Sequence, residues 1–174
     1  MSGEASSGGG RGQAPALFGA ATAADRRELP GAVLFACTMN TVRSVMGAAI
    51  LRHLAGQRSY VHSAGVKAGD PDPFVTIVMD EIGIDVSQHS PETLSELHDT
   101  SFDLIVTLSP EAHHQALELT RTMAVEVEYW PTFDATTLVG HASREQIAQA
   151  YRAVRDQLFT RIKQRFALEG GPSV

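Results

Sequence analysis

The chain has one cysteine, Cys37, among 174 residues. A lone thiol permits no internal disulfide and none of the paired-cysteine zinc signatures, so the expectation is a reduced thiol and a cytoplasmic protein. Basic residues are scarce too: 14 Lys and Arg stand against 20 Asp and Glu, for a formal net charge of -6. That balance excludes nucleic acid or an anionic membrane as the main partner, although a local positive pocket survives within an acidic protein. No apolar run approaches the roughly 18 residues of a membrane span. Arg26-Arg27 is followed by no hydrophobic region before Pro30, so no twin-arginine signal is read.

What is present suffices for one domain with a proper core, at 43% hydrophobic residues. Residues 1–14 form a Gly/Ser-rich tract that cannot offset its own entropy and is expected to be disordered. Residues 15–30 are a lead-in, with a short helix expected over Leu17 to Leu29. The domain is expected over residues 31–168, with a C-terminal tail at 169–174.

The organising stretch is Val33 to Leu54. Val33 to Ala36 is a short apolar run bounded by Pro30-Gly31, which favours a buried strand. Cys37 stands at its end. After five intervening residues come Arg43 and Ser44, and then Met46, Ala49, Ile50 and Leu54 recur at helical spacing. A loop between a strand and a helix start gathers unpaired N–H groups at the positive end of a helix dipole, and such a hollow binds anions. The planar Arg43 guanidinium suits two oxygens of a phosphate, and the same field favours a thiolate at Cys37 as nucleophile. The competing reading of Cys37 is a small buried hydrophobe.

Further along, Tyr60-Val61-His62 reads as a second strand that breaks at Ser63-Ala64-Gly65. Asp72-Pro73 caps a helix carrying Val75, Val78, Met79 and Ile82, with Gly83 as its stop. Ser90-Pro91-Glu92 reads as another helix start. Asp103 to Leu108 is the third strand, and Ser109-Pro110-Glu111 caps a helix over Ala112 to Arg121. His113 and His114 point about 100° apart on that helix, so a solvated pair is expected and no metal site. Ala124 to Trp130 alternates as the fourth strand. Ser143 opens a capping box with Gln146 and a long helix, with Ile147, Tyr151, Val154, Leu158, Ile162 and Phe166 on one face.

Strands alternating with helices predict an α/β fold, a doubly wound parallel sheet whose ligands bind at the carboxyl ends of the strands. Cys37, Ser63 and Asp134 each follow a strand, which gathers them at one sheet edge.

The run C-T-M-N-T-V-R-S resembles the C-x5-R-S phosphate loop of the low-molecular-weight protein tyrosine phosphatases, a family that includes thiol-dependent arsenate reductases. The resemblance spans about Ala32 to Phe166 and implies a four-stranded sheet of order 2-1-3-4. It makes Cys37 the nucleophile and Arg43 the phosphoryl holder, with Thr38, Met39, Asn40, Thr41 and Val42 completing the cradle. Ser44 then lowers the Cys37 pKa, Asn40 holds a strained backbone, and Ser63 and His89 support Asn40. In W-P-T-F-D-A the resemblance makes Asp134 the general acid and base, on the loop after the fourth strand. The bland readings are a turn at Ser63, a satisfied histidine at His89 and a turn aspartate at Asp134.

Three departures stand out. Met39 replaces a loop residue that is usually Gly, Ala135 replaces the Pro after the acid, and D-A-T-T replaces the aromatic D-P-Y-Y. Trp130 or Phe133 supplies another aromatic wall, or belongs to the core. The expected activity is cysteine-dependent hydrolysis of a phosphorylated protein or small phosphomonoester, with no cofactor and no metal, and with phosphate or other oxyanions as ligands; the sequence leaves the oligomeric state open, a monomer being the default. The alternatives are arsenate reduction with an external small thiol, since no second cysteine exists for a relay, and a catalytically weak phosphate-binding module.

Overall fold

The computed structural model describes residues 29–97 and 101–168. The tail at 1–14, the lead-in helix expected up to Leu29 and the tail at 169–174 therefore lie outside the described residues, apart from Leu29 itself.

Four parallel strands form the sheet: β1 (Ala32–Cys37), β2 (Tyr60–Gly65), β3 (Leu104–Thr107) and β4 (Glu126–Tyr129), in the order β2-β1-β3-β4. β1 pairs with β2 on one side and β3 on the other, and so has both edges hydrogen-bonded within the sheet. Its side chains alternate accordingly. Val33 and Phe35 enter one core cluster while Leu34 and Ala36 enter the second, all essentially inaccessible.

The first cluster lies beneath α1 (Arg43–Ala55), α2 (Pro73–Asp80) and α4 (Arg144–Phe166). The second lies beneath α3 (Pro110–Leu119), through Ala112 and Ala116. Gly47 lets α1 close on the sheet, because a Cβ there would stand 2.7 Å from the Phe35 ring. All six predicted face residues of α4 are buried. So is Arg155, which lays its charge on the Val78 carbonyl at 2.7 Å and the Glu81 carboxylate at 2.9 Å.

The helix starts follow their caps. Asp72 accepts from Phe74 N–H, Ser109 from Ala112 N–H and Ser143 from Gln146 N–H. α1 differs: Val42 stands at its N-cap and offers no side-chain bond. The orphan N–H groups of that helix therefore face the loop that precedes it.

Two expectations are corrected. Ser90-Pro91-Glu92 does not open a helix. The Glu92 carbonyl accepts from Gly65 N–H at 2.9 Å and its N–H donates to Asn40 Oδ1 at 3.0 Å, and these bonds hold an extended segment against the end of β2. The turn begins at Thr93, which caps the 3₁₀ segment Leu94–Glu96 in a capping box with Glu96. The histidine pair is also not simply solvated. His114 is exposed, but His113 stacks on Tyr129 at 4.6 Å and its Nδ1 lies 3.0 Å from Thr107 Oγ1.

Candidate active site

The turn from β1 into α1 is held from outside by its carbonyls. Cys37 O accepts from Val66 N–H at 3.1 Å, Thr38 O from Lys67 N–H at 2.8 Å, and Met39 O from Gly69 N–H at 2.9 Å. Asn40 O accepts from His89 Nε2 at 2.9 Å and Val42 O from Met46 N–H at 2.9 Å. Among the described residues, the N–H groups of Thr38 to Val42 donate to no protein acceptor. They and the uncapped first turn of α1 make a cradle of donors.

Asn40 is the hinge of that cradle. Its φ of 54° puts it in the left-handed region, and it is completely buried. Oδ1 takes the Glu92 N–H, so the amide orientation is fixed and Nδ2 faces two hydroxyls, Ser44 Oγ at 2.9 Å and Ser63 Oγ at 3.0 Å. Ser44 Oγ is also 2.9 Å from Cys37 Sγ. Because Asn40 occupies a lone pair of Ser44, the Ser44 proton is free to be donated to the Cys37 sulfur.

Met39 does not need the freedom of a glycine: among the described non-glycine residues only Asn40 and Ala167 have positive φ. Its side chain is 40% exposed and leans over Gly69, where a Cβ would meet Met39 Cε at 3.2 Å.

Arg43 is 8% exposed. Its Nη1 donates to the Thr132 carbonyl at 3.2 Å and the Leu108 carbonyl at 3.4 Å, which ties α1 to the ends of β3 and β4. Nη2 lies 3.5 Å from Thr38 Oγ1 and 3.7 Å from Asp134 Oδ2. Thr38 Oγ1 in turn donates to Glu111 on α3 at 3.2 Å. Asp134 caps the 3₁₀ segment Ala135–Leu138: its Oδ1 accepts from Thr136 N–H at 3.0 Å and Thr136 Oγ1 at 2.6 Å, leaving Oδ2 toward Arg43. Ala135 is fully buried, so this cap and the packed methyl fix the segment where a proline is absent. Cys37, Met39, Thr41, Val42, Arg43, Asp134 and Thr136 line one small pocket.

The candidate catalytic, cradle and supporting residues thus gather at one sheet edge. Trp130 does not: it is 3% exposed, edge-on to Phe35 at 6.2 Å, and belongs to the core, while Phe133 beside Asp134 is 54% exposed. Three contributors were missed. Gly65 ends β2 directly under the loop, where a Cβ would stand 2.7 Å from Asn40 N and 2.4 Å from Lys67 O. A glycine closing a strand beside a phosphate-loop candidate is the sequence signal for such a close approach. Glu92 acts through its backbone and Glu111 across a helix terminus, and neither leaves a local pattern. Among the described residues no cluster of His, Cys, Asp or Glu is arranged to hold a metal ion, and no helix is long and apolar enough to cross a membrane.

Residues 32–167 match the model of the low molecular weight phosphotyrosine protein phosphatase family, and with a parallel sheet of this order and a Cys-to-Arg cradle the chain belongs to that family. An arsenate reductase of Shouchella clausii is 30% identical over 138 residues, covering 79% of this chain and 96% of that protein. Among solved structures, the tyrosine phosphatase AmsI of Erwinia amylovora superposes with a TM-score of 0.64 at 21% identity, over 82% of this chain and 95% of its own. The YwlE arginine phosphatase, a protein of Bacillus subtilis, was captured as a mutant with a phosphorylated active-site serine. It gives a TM-score of 0.61 at 23% identity, over 76% and 91%. At those identities the structural likenesses establish the fold alone.

Proposed function

We propose that this protein is a cysteine-dependent phosphomonoester hydrolase of the protein tyrosine phosphatase type. Cys37 Sγ attacks phosphorus in line with the leaving oxygen, and the S–P bond forms as the P–O bond breaks. The loop N–H groups and the Arg43 guanidinium hold the equatorial oxygens. Asp134 Oδ2 gives its proton to the departing alkoxide or phenoxide. As a carboxylate it then takes a proton from water, which attacks the cysteinyl phosphate and releases inorganic phosphate and the thiolate. Ser44 donates to that sulfur in both half-reactions. The observation that carries this reading is the Asn40–Ser44–Cys37 chain of contacts at 2.9 Å each, with Arg43 and Asp134 lining the same pocket.

The names of the curated relatives favour a second reading, arsenate reduction. Turning arsenate into arsenite takes two electrons, which a thiol pair supplies by forming a disulfide. The sequence contains only Cys37, so the partner sulfur has to come from an external small thiol.

A hydrolysis panel of phosphotyrosine, phosphoserine and phosphoarginine peptides, run beside arsenate with added thiol, tests both. Phosphopeptide turnover is expected. The Cys37→Ser variant is expected to lose that turnover and keep its affinity for inorganic phosphate; turnover that survives the substitution excludes the mechanism. Arsenate-dependent thiol oxidation without phosphopeptide turnover replaces the first reading with the second.

A further inference from the structure

Asp134 is followed by Ala135, Thr136 and Thr137, and two hydroxyls supply there the restraint that a proline would otherwise give. A proline after Asp134 would hold that residue in the extended region. Asp134 is extended without one, at φ -89° and ψ 97°, and Thr137 grips its backbone carbonyl through Oγ1 at 2.8 Å and N–H at 3.3 Å. Thr136 grips the side chain. Its N–H donates to Asp134 Oδ1 at 3.0 Å, which by itself caps the 3₁₀ segment, and its Oγ1 donates to the same oxygen at 2.6 Å. The hydroxyl bond is surplus to the cap.

That bond decides which oxygen of the carboxyl works. The terminal torsion of an aspartate is broad and nearly two-fold, and the Asp134 side chain is 40% exposed, so an unheld carboxyl turns either oxygen to the pocket. With two donors on it, Oδ1 has its lone pairs occupied, and a proton taken up by the carboxyl goes to Oδ2. Oδ2 is the oxygen that lies 3.7 Å from Arg43 Nη2, and Thr136 lines the same pocket as Arg43 and Cys37. We propose that Thr136 is a positioning residue for the acid and base steps, its hydroxyl holding Oδ1 so that the working proton is carried on Oδ2. As the S–P bond forms and the P–O bond breaks, that proton passes from Oδ2 to the leaving oxygen. Oδ2 then takes a proton from the water whose oxygen bonds to phosphorus as the P–S bond breaks. Thr136 has this role only within the phosphatase reading, so Asp134→Ala is measured beside it.

Thr136→Val keeps the branched shape and the capping N–H and removes the O–H. The test is kcat/KM of the full chain on two substrates: p-nitrophenyl phosphate, whose leaving group departs with little help, and phenyl phosphate, whose leaving group needs the proton. Thr136→Val is expected to lose about tenfold on phenyl phosphate and distinctly less on p-nitrophenyl phosphate, the same direction as Asp134→Ala and a smaller size. Its remaining turnover of the activated substrate shows that it folds. Thr136→Ser, which restores a hydroxyl, is expected to recover most of the phenyl phosphate rate. Equal losses on the two substrates, or none on either, while Asp134→Ala still discriminates between them, overturn the role of Thr136 and leave the acid in place. A selective loss that Thr136→Ser shares in full assigns the effect to packing and overturns it too. If Asp134→Ala treats the two substrates alike, or the wild type turns over neither, the catalytic reading itself fails and the role of Thr136 falls with it.

Discussion

Asn40 concentrates most of what holds the cradle in one side chain. Three of its hydrogen bonds reach Ser44, Ser63 and Glu92, which lie on α1, on β2 and in the segment after α2. Its backbone also carries the left-handed φ of 54°. The two contributions separate in Asn40→Gly, which keeps the backbone freedom and removes the amide. Stability is expected to fall by about 2–4 kcal/mol, because buried hydroxyls and an N–H lose their partner, and phosphate affinity is expected to fall with it. Chemical denaturation and phosphate titration of that variant measure both, and unchanged values would mean the network is ornamental. The support of Asn40 by Ser63 and His89 was implied by the family resemblance, because they lie 23 and 49 positions away and no local spacing joins them to the loop. The Glu92 bond, made by a backbone N–H 52 positions away, left no signal in the sequence.

The helix caps were the most readable elements, since Asp72, Ser109 and Ser143 each sit immediately before an apolar periodic run and satisfy N–H groups locally. The false start at Ser90 shows the limit of that signal. A cap-like triplet was read as a helix, but its backbone groups had better partners in Gly65 and Asn40. His113 fails in the same way, its environment being set by Thr107 and Tyr129 on neighbouring strands. Gly65 belongs to this scale as well, as the point where β2 passes under the loop. Gly65→Ala puts a methyl at 2.4 Å from a carbonyl and 2.7 Å from a backbone nitrogen, so backbone has to move. A loss of about 1–3 kcal/mol in thermal or chemical unfolding is expected, together with weaker phosphate binding. A fully stable Gly65→Ala protein with wild-type phosphate affinity would show that the loop does not lean on this strand.

Across the whole molecule, titratable groups tie stability to pH on both sides. Burial, followed by the nearby Arg52 and His62 charges, holds the His89 imidazole below its ordinary range, against the pull of the Asn40 carbonyl and Glu92. The unfolded chain takes up that proton first, so the stabilisation is complete above about pH 6.5 and is lost as pH falls toward the depressed folded value. At the alkaline end, burial and then the Asp72 carboxylate at 2.5 Å push the Tyr151 phenol far above its usual value. Its contribution is complete below about pH 10 and declines as pH rises beyond that. Unfolding free energy measured against pH is therefore expected to dip on the acid side in the wild type and less so in His89→Gln. A matching acid slope in both proteins would remove His89 from that role.

The order of the sheet came from the family resemblance, whereas the layering followed from the alternation of apolar strands with capped helices, and both agree with the fold. The central chemical claim is that the reaction passes through phosphorus bonded to Cys37. Acid quench of the enzyme during turnover of a radiolabelled aryl phosphate, followed by peptide mapping, reads that bond directly. The account predicts label on the Cys37 peptide, and more of it in Asp134→Ala, where water is no longer activated. Turnover with no label on Cys37 in either protein would contradict it.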